Sequence, residues 1–287
     1  MKNTAKRRVL RTIIVVLCVV LCAALAVHGN QGLKRTDYTL SGSRVPEAFD
    51  GFRIAHISDL HNAQMGKDNK NLLALLEAAQ PDIIAITGDI IDSRRTDMEI
   101  ALRFVREAVK IAPCYYVPGN HEARLSAYEG FQQKMIDAGV TVLEDTAVPV
   151  GRSGERIIIQ GVKDPSFYRG YLGEDETQIM KTQLLTLPKE DEFTVLLSHK
   201  PELFLVYVAH GADLVLSGHA HGGQIRLPWI GGLYTPSQGL FPEYDAGMYT
   251  QQGVSMIVSR GIGNSAFPLR INNPPEVVMI ELKHTEE

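Results

Sequence analysis

Two hydrophobic rhythms alternate along the chain from residue 51 onward. Short β-branched or apolar runs end abruptly in polar clusters. FRIAHIS precedes Asp59-Leu60-His61, DIIAIT precedes Gly88-Asp89, and CYYVP precedes Gly119-Asn120-His121-Glu122. FTVLL precedes Ser198-His199, and ADLVLS precedes Gly218-His219-Ala220-His221. Runs this short, closed by Gly or Asp, predict buried strands. Between them lie stretches with a helical period. Leu72, Leu75, Leu76 and Ala79 share one face, as do Ala101, Phe104, Val105 and Ala108, then Tyr128, Phe131, Met135 and Ala138. Strands alternating with helices predict an α/β fold whose helices cover the sheet. Residues 140–150 and 156–162 flank Gly151-Arg152-Ser153-Gly154 and predict a hairpin. Strands are also predicted at 254–258 and 277–282. The Gly- and Pro-rich stretch 222–250 reads as loop, too long for a simple connection.

The first 50 residues follow neither rhythm. Residues 2–11 form a basic head, and residues 13–27, IIVVLCVVLCAALAV, carry no charge. Fifteen helical residues span roughly 22 Å, short of a ~30 Å hydrocarbon core. Extension to Val9 and Gly29, with Arg11 snorkelling, brings the helix nearer to spanning length. The reading adopted is a single-pass signal anchor over residues 1–29. Ala24-Leu25-Ala26 leaves cleavage near Ala26, and a secreted product, as the alternative. Either way the basic head stays in the cytoplasm and the remainder lies outside it. Residues 30–50 read as a polar linker and an entry strand, and residues 51–283 as the main folded domain.

Composition narrows the classes. At 45% hydrophobic and 22% charged residues, the chain is ordinary globular protein, which excludes global disorder. Three Cys, two of them in the apolar run, exclude a disulfide framework. Residues 1–35 carry seven basic groups and no acid. The remainder holds 22 basic and 33 acidic residues, or −11. A domain this acidic has no overall field to hold a nucleic-acid backbone.

The strand ends carry the chemistry. They deliver Asp59, His61, Asp89, Asn120, His121, His199, His219 and His221, and ligands in open α/β sheets bind just past the carboxyl ends of strands. The donors are carboxylate, amide and imidazole without thiolate, which suits Mn, Fe or Zn. With this composition, Asp-x-His is expected roughly 0.5 times by chance, Gly-His-x-His about 0.02 times and Gly-Asn-His-Glu about 0.002 times. Their joint occurrence, each after a strand, is specific.

In that order the motifs resemble the calcineurin-like metallophosphoesterase superfamily over about residues 51–283. The N-terminal segment, Ser198-His199-Lys200-Pro201-Glu202 and Gly222-Gly223-Gln224 resemble its bacterial membrane-associated branch. The resemblance implies a four-layer α-β-β-α sandwich of two mixed sheets with a dinuclear metal site at the strand ends. It implies that Asp59, His61 and His221 hold one divalent ion, that Asn120, His199 and His219 hold the other, and that Asp89 bridges. A hydroxide shared by two such ions attacks phosphorus in line. His121, beside the Asn ligand, would protonate the leaving oxygen or stabilise its charge. The expected substrate is a phosphodiester or pyrophosphate, lipid-linked or phospholipid-like. Some related branches cleave UDP-diacylglucosamine. A non-catalytic metal-bound surface module and an exported nuclease are the alternatives.

Other polar and apolar features receive plainer readings. His56, in a strand, and His210, at a helix end, are read as structural, while His28 and His284 are read as solvated. Asp92 is read as a solvated turn, and Arg260 and Arg270 as surface ion pairs. Residues 227–230, with Leu233, Leu240 and Phe241, are read as a packed excursion over a sheet edge; a rim facing a bilayer is the alternative.

Overall fold

In a computed structural model of the chain, the structure describes residues 2–168, 175–188, 191–264, 267 and 269–286. Helix α1 (Lys2–Gln31) leads into β1 (Lys34–Gly42) and β2 (Arg53–Ile57). Then come α2 (Lys70–Ala79), β3 (Ile83–Thr87), α3 (Met98–Ile111), β4 (Cys114–Val117), α4 (Tyr128–Asp137) and β5 (Thr141–Val142). The second half contains β6 (Thr146–Arg152), β7 (Glu155–Gly161), α5 (Glu176–Thr186), β8 (Thr194–Leu197), α6 (Phe204–His210) and β9 (Leu214–Ser217). Four short strands follow, β10 (Arg226–Leu227), β11 (Gly231–Gly232), β12 (Tyr234–Thr235) and β13 (Gly239–Leu240). The chain closes with β14 (Gly247–Gln251), β15 (Val254–Val258) and β16 (Glu276–His284).

Two six-stranded mixed sheets organise the molecule, in the orders β1-β16-β2-β3-β4-β5 and β14-β15-β9-β8-β7-β6. Three apolar layers hold them. Leu72, Leu76, Phe104 and Phe131, from the predicted helix faces, pack on Ile84 and Ile86 of the first sheet. Ile54, Ile83, Ile159, Leu197 and Leu216 fill the space between the sheets. Met180, Leu184, Phe204 and Tyr207 cover Val215 and Met256 of the second. This is the four-layer α-β-β-α sandwich. Truncating one of the larger core side chains to Ala costs about 2–5 kcal/mol. Helix α3 begins at Asp97, whose carboxylate accepts the Glu99 N–H, a cap worth about 1 kcal/mol.

Two local expectations are refined. The polar linker and entry strand expected over residues 30–50 contain β1, which pairs in parallel with all nine residues of β16; only Gly32 and Leu33 separate it from α1. Its half-buried positions Thr36, Tyr38 and Leu40 alternate with exposed ones, as on a strand with one solvated face. The arm 140–150 of the hairpin is split. Thr141–Val142 joins the first sheet, whereas 146–152 pairs with β7 around a Ser153-Gly154 turn in the second. Among the described residues no helix is long and apolar enough to cross a membrane. The side chains at 18–19, 21–23 and 25–28 lie outside the described residues, and with them Cys18, Cys22 and the Ala26 site.

Candidate metal centre

All eight residues singled out at strand ends meet where the carboxyl ends of β2, β3 and β4 in one sheet face those of β8 and β9 in the other. Within each sheet the strand ends are tied together: Asp59 N–H donates to the Gly88 carbonyl at 3.0 Å, and Gly218 N–H to the His199 carbonyl at 3.1 Å. Between the sheets, the His219 N–H donates to Asp59 Oδ2 at 3.0 Å. Gly218 permits this approach, because a Cβ there would overlap Ser58 Oγ and the Asp59 carboxylate. Five of the residues sit at left-handed φ without being Gly: Asp59 (52°), His61 (45°), Asp89 (49°), His219 (65°) and His221 (47°). Such backbone costs about 1–3 kcal/mol per residue and persists only where its surroundings over-determine it.

The side chains form two adjoining groups. In the first, the His61 and His221 Nε2 atoms face each other at 3.1 Å, and Asp59 Oδ1 lies 3.3 Å from His221 Nε2. In the second, His199 Nε2 stands 3.2 Å from His219 Nδ1. Asp89 Oδ2 touches both groups, at 3.6 Å from His61 Nε2 and 3.3 Å from His199 Nε2. Asn120 Oδ1 is a buried acceptor with no hydrogen-bond partner.

These features fit divalent cations. Buried carboxylates need compensating charge. Imidazole nitrogens gathered around carboxylate oxygens are ordinary donors to a divalent ion, and the unpartnered Asn120 oxygen is a ready ligand. The outer contacts agree. The His199 Nδ1–H donates to the Thr87 carbonyl at 2.7 Å, which turns the Nε2 lone pair inward. His219 Nε2 lies 3.8 Å from Glu202 Oε1. Within the protein's own charges, burial opposes ionisation of Asp59 and Asp89. The neighbouring histidines outweigh it and hold both carboxyls below the usual range. Burial likewise opposes charging of His199, yet Asp89 keeps that ring well above its ordinary value. Burial pushes His221 down to about 3.

His121 stands at the edge of the groups, its ring edge-on to His61 with centroids 4.5 Å apart. Its backbone N–H donates to Asp89 Oδ1 at 2.7 Å. Its Nδ1 accepts the Ser93 N–H at 3.0 Å. In the neutral ring the proton is therefore on Nε2. Arg94 Nη2 lies 3.4 Å from that atom, so two donors converge on a point that an acceptor would fill. A cleft of about 220 Å³ opens here, lined by Asp89, Arg94, Asn120, His121, Arg124 and Lys200 among others.

Four contributors were not assigned from sequence. Glu122 is fully buried and accepts the N–H groups of Asp89 (2.8 Å), Gly119 (2.8 Å) and Ile91 (3.1 Å), which ties the β3 and β4 loops together. Burial and the adjacent Asp89 push its carboxyl up to about 7. Its place in Gly119-Asn120-His121-Glu122 was the available signal. Arg94 and Glu202 are the second and third. The fourth is Ser237, whose Oγ lies 3.4 Å from His219 Nε2.

Three plain readings are corrected. Asp92 is buried rather than solvated, with Oδ1 accepting the Arg94 N–H at 2.9 Å and lying 3.5 Å from His121 Nδ1. Arg270 is fully buried rather than a surface ion pair. It donates to Asn264 Oδ1 at 3.0 Å and to the Gly263 carbonyl at 2.5 Å, beside the His221 ring. Burial pushes its guanidinium down to about 10, against the pull of Asp59 and Glu276. Arg260 does pair with Glu276, at 3.3 Å. His56 bonds Thr87 Oγ1 and His210 bonds Gln160 Oε1, as structural residues do. His284 lies in β16, with Nδ1 2.6 Å from the Val45 carbonyl oxygen, and is not simply solvated.

Residues 52–223 match the family model described as calcineurin-like phosphoesterase. An uncharacterized metallophosphoesterase of Bacillus subtilis, YkuE, is 29% identical over 99% of this chain and all of its own length. An uncharacterized metallophosphoesterase of Aquifex aeolicus is 30% identical over 88% of this chain and 92% of its own. The phosphodiesterase YaeI of Escherichia coli is 26% identical over 80% of this chain and 82% of its own.

Proposed function

The chain belongs to the calcineurin-like phosphoesterase family and is a hydrolase of phosphate esters. On that premise we propose that it cleaves a phosphodiester or pyrophosphate at a two-cation centre, next to a membrane and outside the cytoplasm. The observation that carries the catalytic part is Asp89, whose Oδ2 is shared between the two donor groups. Asp59, His61 and His221 would hold one cation and Asn120, His199 and His219 the other, with Asp89 between them. When bound, two such cations supply Lewis-acid charge neutralisation and a hydroxide nucleophile at neutral pH; Mn, Fe and Zn all suit these ligands.

The chain's own residues do the rest. Glu122 fixes the backbone of Asp89 and Gly119, so the carboxylate and the Asn120 turn cannot drift apart. His121, held by Ser93, presents its Nε2–H to the cleft, where it donates to the leaving oxygen. Arg94, beside it, binds a non-bridging phosphoryl oxygen. A diester preference is supported by the name of the E. coli relative, a phosphodiesterase.

The location rests on the sequence. A basic head followed by a charge-free run directs a chain to the membrane with its following domain outside. The −11 domain disfavours nucleic acid, so a phospholipid-like or UDP-diacylglucosamine-like phosphoester is the substrate class proposed. The test is a panel of soluble and lipid-linked mono-, di- and pyrophosphate esters, assayed with Mn, Fe or Zn. Turnover of diesters or pyrophosphates over monoesters supports the proposal, and equal or greater turnover of monoesters overturns that preference. Fractionation with N-terminal sequencing checks the location. A mature soluble protein beginning near Val27 would refute the anchored form.

A further inference from the structure

The stretch 222–250, expected as a packed excursion, packs its apolar residues only in part: Leu227 and Leu233 are half-buried. Trp229 is completely exposed, and Ile230 (63%), Leu240 (66%) and Phe241 (59%) are mostly so. Tyr234 is exposed between them in the chain. Outside α1, the other exposed large apolar residues, such as Ile136, Leu185 and Met248, are spread over separate elements. Contiguous exposed apolar surface marks an interaction site.

The loop is built rather than slack. Ile225 bridges Ile271, the Leu233 N–H donates to the Ile225 carbonyl at 2.8 Å, and the Phe241 N–H donates to the Leu233 carbonyl at 2.9 Å. That ladder joins three passes of chain. β10 and β11 pair to carry Pro228, Trp229 and Ile230 at their tip. The buried Asp245 carboxylate clamps the base, accepting Arg226 Nη1 at 2.9 Å and the Gly232 N–H. β12 and β13 pair to carry Tyr234 and Leu240 outward, while Pro236 and Ser237, in the turn between them, line the catalytic cleft.

The same ladder ends where α1 arrives. Gly29 abuts the Arg270 carbonyl so closely that a Cβ would overlap it. Asn264 Nδ2 donates to Asn30 Oδ1 at 2.5 Å. Arg270, against Gly29, and its neighbour Ile271, bridged to Ile225, thus connect the N-terminal helix to the strand ladder that carries Trp229, Leu240 and Phe241.

We infer that Trp229, Ile230, Leu240 and Phe241 form an interfacial contact with a phospholipid bilayer, seating the mouth of the catalytic cleft at headgroup level. The occupant is a bilayer because the ladder that carries the patch bridges Ile271, whose neighbour Arg270 abuts the basic-headed helix at Gly29. Trp and Tyr are also the side chains that settle at membrane–water boundaries. The substrate is then a phosphoester presented in the lipid surface, reached without leaving it. This inference rests on the reading that α1 holds the chain to a membrane.

The chain has one Trp, so its emission reports the hairpin tip alone. The full-length protein is reconstituted into equimolar phosphatidylethanolamine and phosphatidylglycerol vesicles, with and without bromine in the acyl chains, and floated. Trp229 emission is expected to shift to the blue, to lose most of its intensity with brominated lipid, and to resist iodide. The double variant Ile230→Ser, Phe241→Ser is expected to restore iodide access. It should slow hydrolysis of a vesicle-borne phosphodiester while leaving a soluble aryl phosphodiester unaffected. Protein that floats with Trp229 still open to iodide and indifferent to bromine overturns the inference and leaves the anchor standing. Failure to float overturns both. Absence of soluble turnover counts against the catalytic reading alone, since the quenching does not depend on it.

Discussion

The strand-end loops that gather the metal-type donors and the excursion after β9 differ in every physical respect. The first are short, buried and strained, with five donors at left-handed φ and each carboxylate in contact with a histidine. The second is long and laddered largely with itself and residue 271, and it presents Trp229, Ile230, Leu240 and Phe241 to solvent. Yet they touch, because Ser237 in the excursion reaches His219 in the cluster. Chemistry is held where the fold leaves no freedom. What the enzyme meets is set where the fold leaves surface.

That contrast predicts an ordering of mutational effects. The largest belongs to Asp89. Replacement by Ala removes the oxygen shared by both donor groups, so turnover should fall below detection and metal content should drop by at least one ion per chain. Elemental analysis with a diester assay checks both. Next comes His121→Ala, expected to lower kcat by roughly 10²–10⁴ while metal content is kept. If that variant loses metal as fully as Asp89→Ala, its place beside the centre has been misjudged.

Glu122→Gln should act through the backbone. One amide oxygen cannot accept all three N–H groups, so stability should fall by about 1–3 kcal/mol, read as a lower urea midpoint. Unchanged stability would show that the β3 and β4 loops hold themselves. The smallest effect belongs to the excursion. Leu240→Ser removes an exposed side chain, so stability should change by no more than about 0.5 kcal/mol and soluble-diester turnover should not change. A loss comparable to Glu122→Gln would mean that the patch is core after all.

The same contrast explains what the sequence made legible. Periodicity placed Leu72, Leu76, Phe104, Val105, Phe131 and Met135 correctly, since each lies buried on the helix face its spacing predicts. Abrupt strand ends placed the donors, because a buried strand stopped by a polar cluster has one geometric meaning in an α/β sheet. Strand β1 was legible only as an entry strand without bounds, because Lys34 and Arg35 at its start are both exposed and the alternation begins at Thr36. Arg270 and Asp92 were misread because what buries them is distant in sequence: Arg270 lies beside His221 and Asp92 beside His121. Their hydrogen-bond partners Asn264, Gly263 and Arg94 are near in sequence, but local pattern alone does not say that the turns holding them are covered. The exposure of Trp229 escaped for the opposite reason: apolar residues are read as buried until the structure supplies nothing to bury them against.

The most direct test of the central claim, a two-cation phosphoesterase centre bridged by Asp89, is metal stoichiometry measured together with turnover on the full-length protein. The account predicts two divalent ions per chain, loss of diester hydrolysis on chelation, and its return when Mn, Fe or Zn is added back. Hydrolysis continuing at full rate in protein shown by elemental analysis to hold no metal would contradict it.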